Sequence, residues 1–436
     1  MEQINSMLSG AVMPALLIVS GIYFAVRLRF FFILHPLRTL KDIIHGEKDG
    51  GATSFRALSQ ALAGTLGVGN MAGVATALTA GGAGSVFWMV MSALAAMSVK
   101  YAEVALGVLC RRREGKRYFG GAMYYIEDIF SRISPRFSRG AGVFFALLCI
   151  ANTLVTGNSV QMSAAAGAVP RVPPLLVGVF GAVFALVCAV GRENRVSRIT
   201  AFLIPLLCAG YITVSLGIII CSKDRIPQIA ERIWREAFSL RAAAGGGGGY
   251  AVSRALRYGV TRGIMSNEAG MGSSPTAHAA ANTKSPHHQG CFGIFEVFFD
   301  TVVLCTMTAL VILLSDGLGR FDGIALTLYA YSSLAGETVG NIMSLSVVLF
   351  AFASVICSMQ YGKEAVGYIV GNKKTPYLYY ILSAAATVLG CVAGEGVMWQ
   401  AADLTVSLMT AVNVCCLHFG FSRVIAAWKI RERALK

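Results

Sequence analysis

The sequence predicts an all-α, polytopic membrane protein of about 11 transmembrane helices. Three observations carry that reading. Of 436 residues, 56% are hydrophobic and only 14% charged, whereas a soluble domain carries about 25% charged residues. Apolar segments long enough to span a bilayer, about 20 residues each, recur along the whole length. Two of them are interrupted by glycine and amide residues: Gly64-Thr65-Leu66-Gly67-Val68-Gly69-Asn70-Met71-Ala72-Gly73 and Ser266-Asn267-Glu268-Ala269-Gly270-Met271-Gly272-Ser273-Ser274-Pro275. Irregular backbone is tolerated at membrane depth only where it is buried in protein or lines a polar cavity. One such break in each half of a polytopic chain points to a transporter's binding site.

In chain order the spans fall near 11–33, 57–79, 84–109, 141–163, 172–190, 199–221, 252–282, 290–314, 342–370, 377–394 and 399–421. The first lacks a preceding basic region and is too long for a signal peptide, so it is expected to be retained. The other ten divide into two groups of five, each opened by an interrupted helix, as an inverted repeat would be. The expected organisation is therefore 1–56, an N-terminal transmembrane helix with a basic cytoplasmic loop; 57–221, the first repeat; 222–251, an extracellular linker; 252–421, the second repeat; and 422–436, a basic cytoplasmic tail. The glycine run Gly245–Gly249 reads as a flexible connector.

The net charge of +15 is arranged for a membrane and not for nucleic acid. Arg27, Arg29, Arg38 and Lys41, then Arg111, Arg112, Arg113, Lys116 and Arg117, then Arg192, Arg195 and Arg198 crowd alternate loops, and Arg423, Lys429, Arg431, Arg433 and Lys436 fill the tail. The positive-inside rule then puts the N-terminus outside and the C-terminus in the cytoplasm. The long segment 222–257 is basic too and dissents, although long loops obey the rule less strictly. The 11 cysteines lie mostly inside spans without CxxC spacing and read as small apolar fillers. No GxxxxGK[ST] stretch and no HExxH pair occurs, and no nucleophile–base arrangement can be placed, so no enzyme is expected. Rings of like charge or repeated filter sequences, which a channel would carry, are missing as well.

The polar residues inside spans admit two readings each. In the first break Gly69 and Gly73 form a GxxxG pair that suits close packing, which leaves Thr65 and Asn70 unexplained. Freed amides and carbonyls at a half-helix end can hold a carboxylate and a small cation. In the second break Glu268 is either functional or a cap on the exposed N–H groups of the resuming helix. Ser273, Ser274 and Thr276 are candidate caps, and Pro275 suits the first turn. Lys100 and Glu103, at i,i+3, are expected to compensate each other. Asn152, Asn158 and Gln161 form a stripe for helix–helix hydrogen bonds or a ligand. Asp300, one turn after Glu296, is a relay or a buried structural acceptor. Ser354 and Ser358 are one turn apart and face the breaks in this reading. His287 and His288 have no ligand partners at metal-binding spacing.

Four stretches together resemble the alanine or glycine:cation symporter family, secondary carriers of the leucine-transporter fold. They are Gly64–Asn70 with Met71–Ala77; Lys100-Tyr101-Ala102-Glu103; Gly120-Gly121-Ala122-Met123-Tyr124-Tyr125; and Arg257-Tyr258-Gly259 with Arg262–Gly270 and His278–Ala281. The likeness extends over nearly the full length. It implies symport of a small neutral amino acid with sodium as coupling ion, no other cofactor, and residence in the cell (inner) membrane as a monomer. By that resemblance the substrate lies near Thr65, Gly69, Asn70, Gln161, Met265, Ser266, Asn267, Gly270 and Ser358, and sodium near Gly64, Gly67 and Ser354. Proton coupling through Glu268 or Asp300 is the alternative, and a channel or transporter-like receptor a further one.

Five positions depart from the family pattern. Ser354 stands for Thr, Ser358 for Trp, Lys363 for Glu, Met265 for Phe and Ala122 for Pro. An aromatic side chain buries about 150–250 Å², so losing two from a pocket wall predicts a substrate bulkier or more polar than alanine.

Overall fold

The computed structural model describes residues 8–45, 51–115, 117–189, 195–238, 248–371 and 376–434. It is mostly helical. Among the described residues six helices, 26 to 37 residues long, are apolar enough to cross a membrane, and the bent pair Thr53–Thr65 and Val68–Gly81 makes a seventh if it counts as one span. Chain order gives α1 (Met13–Arg27), α2 (Pro36–His45), α3 (Gly51–Thr65), α4 (Ala72–Gly81), α5 (Gly84–Leu109), α6 (Ala122–Phe130), α7 (Pro135–Ala168), α8 (Pro174–Ala189) and α9 (Arg195–Cys221). Then follow α10 (Ile226–Phe238), α11 (Gly248–Asn267), α12 (Pro275–Ala279), α13 (Pro286–Leu314), α14 (Gly323–Ala335), α15 (Glu337–Val370), α16 (Tyr377–Ala393) and α17 (Glu395–Ala434). A two-stranded hairpin, β1 (Arg112–Glu114) and β2 (Arg117–Phe119), and an isolated bridge between Leu318 and Phe321 depart from an all-α chain among the described residues.

Helix α5 lies at the centre, with most of its apolar length buried in protein. It accepts α11 along a seam of small residues, which lets the backbones approach. A Cβ on Gly259 would stand 2.4 Å from the Ser85 carbonyl oxygen and 3.0 Å from Trp88 Cβ. Gly259→Val is therefore expected to destabilise the protein by at least about 1–3 kcal/mol, the usual cost of overpacking. A lower melting temperature in detergent checks this, and an unchanged one removes the seam from the account.

Two expected loops contain helices. Segment 222–251 holds α10, whose Trp234 and Phe238 meet Phe87 edge-to-face (5.6 and 4.9 Å between centroids). Glu236 Oε2 accepts the Ala83 N–H at 2.6 Å, a carboxylate placed at the N-terminal end of α5. The part of the glycine run at 245–247 lies outside the described residues, and Gly248 and Gly249 begin α11. Segment 315–341 holds α14, which buries Ile324, Leu326, Thr327, Ala330 and Tyr331. At 13 residues it is too short to register as a span.

The amphipathic α2 is clasped to two other elements. Asp42 accepts from Arg431 at 2.6 Å and faces His287 Nε2 at 3.4 Å, while Arg38 donates to Glu432 at 2.7 Å. Burial pushes the Asp42 carboxyl up, but hydrogen bonds from His287 and Arg431 and the guanidinium charge outweigh it and hold the pKa at about 2. A depressed carboxylate stabilises the fold above its unfolded value, near 4, and that contribution fades as pH falls through about 2. Asp42→Asn is thus expected to lower the melting temperature at pH 7, with the gap to wild type closing as pH drops below about 4. A gap that does not change between pH 7 and pH 3 goes against the clasp.

Candidate functional site

The first break follows from its glycines. Helix α3 ends at Thr65, whose hydroxyl turns back to the Ala61 carbonyl at 3.3 Å. The segment that follows, Val68–Gly81, is bent from it by 58°. A continuous helix would give the Val68 N–H to Gly64; it donates instead to Gln161 Oε1 at 2.9 Å. Gly67 makes that reach possible, since a Cβ there would lie 2.4 Å from Gln161 Oε1 and 2.6 Å from Ser354 Oγ. Ser354 Oγ donates to the Ala63 carbonyl at 2.9 Å, and Cys357 Sγ to that of Gln60 at 3.0 Å. Gln161 follows directly on a π-helical stretch of α7, Thr153–Val160, a widened turn of the kind found at functional sites. The rest of the polar stripe serves packing: Asn158 donates to the Ser383 carbonyl on α16, and Asn152 Oδ1 accepts Thr405 of α17.

The second break begins where α11 ends at Asn267. Glu268 (φ 53°), Gly270 (φ 87°) and Gly272 (φ 76°) all take left-handed backbone, costly for the glutamate. The Gly272 N–H goes to Glu103 Oε1 at 2.8 Å, so Glu103, not Glu268, satisfies this exposed amide. Glu268 accepts the Ser273 hydroxyl instead. Ser274 makes no side-chain cap; its hydroxyl donates to Glu296 at 2.9 Å. Pro275 sits in the first turn of α12, as expected.

The two breaks meet. A Cβ on Gly69 would lie 3.1 Å from Ser266 Cα. Asp300, in a second π-helical stretch at Phe298–Cys305, accepts Asn70 Nδ2 at 2.7 Å on one oxygen. Its other oxygen accepts Ser266 Oγ and Thr301 Oγ1, each at 2.8 Å. Thr301 Oγ1 in turn accepts Asn267 Nδ2 at 3.0 Å. Asn70 Oδ1 is buried with no protein partner. Beside it lies a cavity of about 10 Å³ lined by Leu66, Gly67, Asn70, Met71, Tyr211, Leu304 and Phe350, room for about one water. Cys305 Sγ is 3.2 Å from Ser266 Oγ, so this cysteine is a polar neighbour and not only a filler.

Gly67, Gly69, Asn70, Gln161, Ser266, Asn267 and Ser354 thus gather around one region, while the Thr65 hydroxyl stays on the carbonyls of its own helix. Others face elsewhere. Gly64 looks onto Tyr361 Oη and Cys357 Sγ. Met265 Sδ accepts from Arg262 at 2.8 Å, Gly270 packs on Leu17, Thr410 and Val414, and Ser358 packs on Gly157 with its carbonyl accepting Tyr379 Oη at 3.3 Å.

Sequence reasoning gave no role to two latches flanking the breaks. One turn before Ser266, Arg262 pairs with Asp403 of α17 at 2.8 Å and lies 4.7 Å from the Trp399 ring. Beyond α12, Arg111 donates to the carbonyls of Ala279 and Ala281, at 3.2 and 2.5 Å, and to that of Thr283. An arginine and a carboxylate inside apolar spans were the available signal for the first pair. The expected Lys100–Glu103 pair is also corrected: Lys100 Nζ pairs with Glu296 of α13 at 3.2 Å, while Glu103 accepts from the Gly272 N–H and from Asn413 of α17.

Broken helices meeting at a buried polar cluster define a multi-pass membrane transporter. The chain belongs to the sodium:alanine symporter family, whose model matches residues 1–434. It is 33% identical to a sodium/alanine symporter of Methanococcus maripaludis, over 94% of this chain and 92% of that one. It is 32% identical to a probable sodium/glutamine symporter of Bacillus subtilis, over 99% and 90%, and 34% identical to an uncharacterized transporter of Escherichia coli, over 99% and 92%. The fold resembles a crystal structure of a manganese-transporter mutant from Eremococcus coleocola, with a TM-score of 0.55, 14% identity, and coverage of 85% of this chain and 78% of that chain.

Proposed function

We propose that this protein carries a small neutral amino acid across the cell membrane together with sodium, by alternating access around the two breaks. The observation that carries the reading is the single carboxylate, Asp300, holding Asn70 of the first break and Ser266 of the second. Around it, the Asn70 Oδ1 acceptor suits an ammonium group, and the polar groups of Gln161, Ser266 and Asn267, with Gly69 between the breaks, suit a zwitterion; Thr65, Met265, Gly270 and Ser358, which have other partners here, would join the substrate set only once the breaks part. Oxygen donors at the first break suit a small hard cation: the carbonyls around Gly64 and Gly67 and the hydroxyl of Ser354. The cavity beside Asn70 has room for no more than about one water, so substrate entry requires the breaks to part.

The same reading takes the chain as eleven spans: an extra helix in 1–56, inverted repeats at 57–221 and 252–421 joined by the extracellular segment 222–251, and a cytoplasmic tail at 422–436. With the N-terminus outside, Arg262–Asp403 bars the outer route and the Arg111 clamp the inner one. Arg262→Ala is then expected to favour the outward-open state, and Arg111→Ala the inward-open one. Labelling of a cysteine introduced at Gly69, from each side of the membrane, reads the shift; equal labelling of both variants from both sides counts against the latches.

Radiolabelled amino-acid uptake into proteoliposomes, with sodium, potassium and proton gradients imposed in turn, tests the whole reading. Uptake driven by sodium alone supports it. Uptake that ignores sodium and rises with an inward proton gradient transfers the coupling to Asp300 or Glu268. A competition panel reads specificity: a strict preference for glycine and alanine defeats the larger pocket suggested by Met265 and Ser358.

A further inference from the structure

Behind the second break lies a charged cluster that the proposed transport cycle does not use. Lys100 is fully buried. Its ammonium donates to the Asn267 carbonyl at 2.8 Å and to Ser274 Oγ at 2.6 Å, and it lies 3.2 Å from Glu296 Oε1. Glu296 is itself fully buried and accepts Ser274 Oγ at 2.9 Å, with its other oxygen 3.2 Å from His278 Nε2. Gln289 Nε2 donates to His278 Nδ1 at 2.7 Å, which leaves the ring's Nε2–H to face the carboxylate.

The acceptors around Lys100 are a half-helix terminal carbonyl, a hydroxyl and a carboxylate. Such oxygens are what a broken membrane helix offers to a small cation. The first break offers a similar carbonyl–hydroxyl pair, Ala63 and Ser354, but its partners Gln161, Ser354 and Cys357 are neutral. We infer that Lys100 is a positioning residue whose tethered ammonium permanently fills the cation position of the second break. The carried ion is thereby confined to positions outside this cluster. By holding the last carbonyl of α11, Lys100 also fixes the end of the helix whose Ser266 and Asn267 side chains turn toward Asp300 and Thr301. The part concerning the carried ion rests on the sodium-symport reading; the filled position does not.

Lys100→Ala removes the ammonium and leaves the Asn267 carbonyl, Ser274 Oγ and Glu296 framing an open cation position. The purified K100A variant is expected to gain a rise in melting temperature, beyond that of wild type, when sodium or ammonium replaces choline. In proteoliposomes its sodium activation should steepen from a Hill coefficient of about one towards about two. The K100A/E296Q variant, lacking the carboxylate, should show neither gain. If K100A survives purification only in sodium or ammonium and not in choline, that is the same gain. A K100A protein that no cation stabilises beyond wild type overturns the inference, as does a K100A/E296Q protein that responds like K100A. Should wild type prove indifferent to sodium, the transport reading fails, yet the ammonium arm still decides the role of Lys100.

Discussion

Asp300→Ala is expected to abolish sodium-driven amino-acid uptake, the largest effect among the single substitutions considered. The carboxylate accepts from Asn70, Ser266 and Thr301, and each residue is buried. Removing the carboxylate takes an acceptor from three buried donors and leaves Asn70 Nδ2 with the longer bonds to the Asp300 carbonyl and Cys305 Sγ; a buried group left unsatisfied costs about 1–3 kcal/mol. The loss also weakens the tie between the two breaks, leaving Cys305 Sγ, 3.5 Å from Asn70 Nδ2 and 3.2 Å from Ser266 Oγ, as the side chain that still reaches both. Asp300→Asn keeps one acceptor oxygen and turns the other position into a donor, so it should fold better than the alanine variant while transporting little. The check is uptake by purified, monodisperse protein in proteoliposomes. Uptake within about two-fold of wild type in D300A, well below the 5–150-fold range of typical coupling effects, would remove Asp300 from the site.

Gly67→Ala is the second. The methyl group would stand 2.4 Å from Gln161 Oε1 and 2.6 Å from Ser354 Oγ, distances real Cβ atoms do not tolerate. Either Gln161 releases the Val68 N–H or Ser354 leaves the Ala63 carbonyl. Both partners belong to the proposed sodium and substrate positions, so uptake should fall by about a hundred-fold, near the upper end of typical coupling effects. Stability should fall by only about 1–3 kcal/mol, as for other overpacked sites. A sodium-activation curve separates the two outcomes of the clash. A raised half-saturating sodium concentration marks displacement of Ser354. An unchanged curve with a raised KM for amino acid marks displacement of Gln161. Wild-type values for both would mean that Gly67 is only a flexible point in the chain.

The parts of the fold that were legible in the sequence are those where local composition dictates structure. The two breaks are visible because glycine lowers helix propensity and because Thr65, Asn70, Ser266 and Asn267 are polar at membrane depth. Contacts between distant segments left no such mark. Lys100 and Glu103 lie on one face of one helix, which suggests a mutual pair, but Glu296 on α13 supplies the partner. Asp300 was recognisable as a lone carboxylate in an apolar run, though nothing local indicated that Asn70, far away in sequence, would donate to it. Helices α10 and α14 were hidden for a simpler reason. At 13 residues each they are shorter than a span, and α10 alternates apolar and charged residues as a surface-lying helix does. Likewise, Ser354 and Ser358 share one face of α15, yet the bend of the first break brings only Ser354 against α3, while Ser358 packs on α7.

Equilibrium binding of labelled alanine and glutamine to the purified protein, in sodium and then in potassium at equal ionic strength, tests the central claim most directly. If the two breaks form one sodium-dependent amino-acid site, at least one of these ligands binds saturably in sodium and loses most of its affinity in potassium. Equal binding in both salts, or saturable binding in neither, contradicts the account.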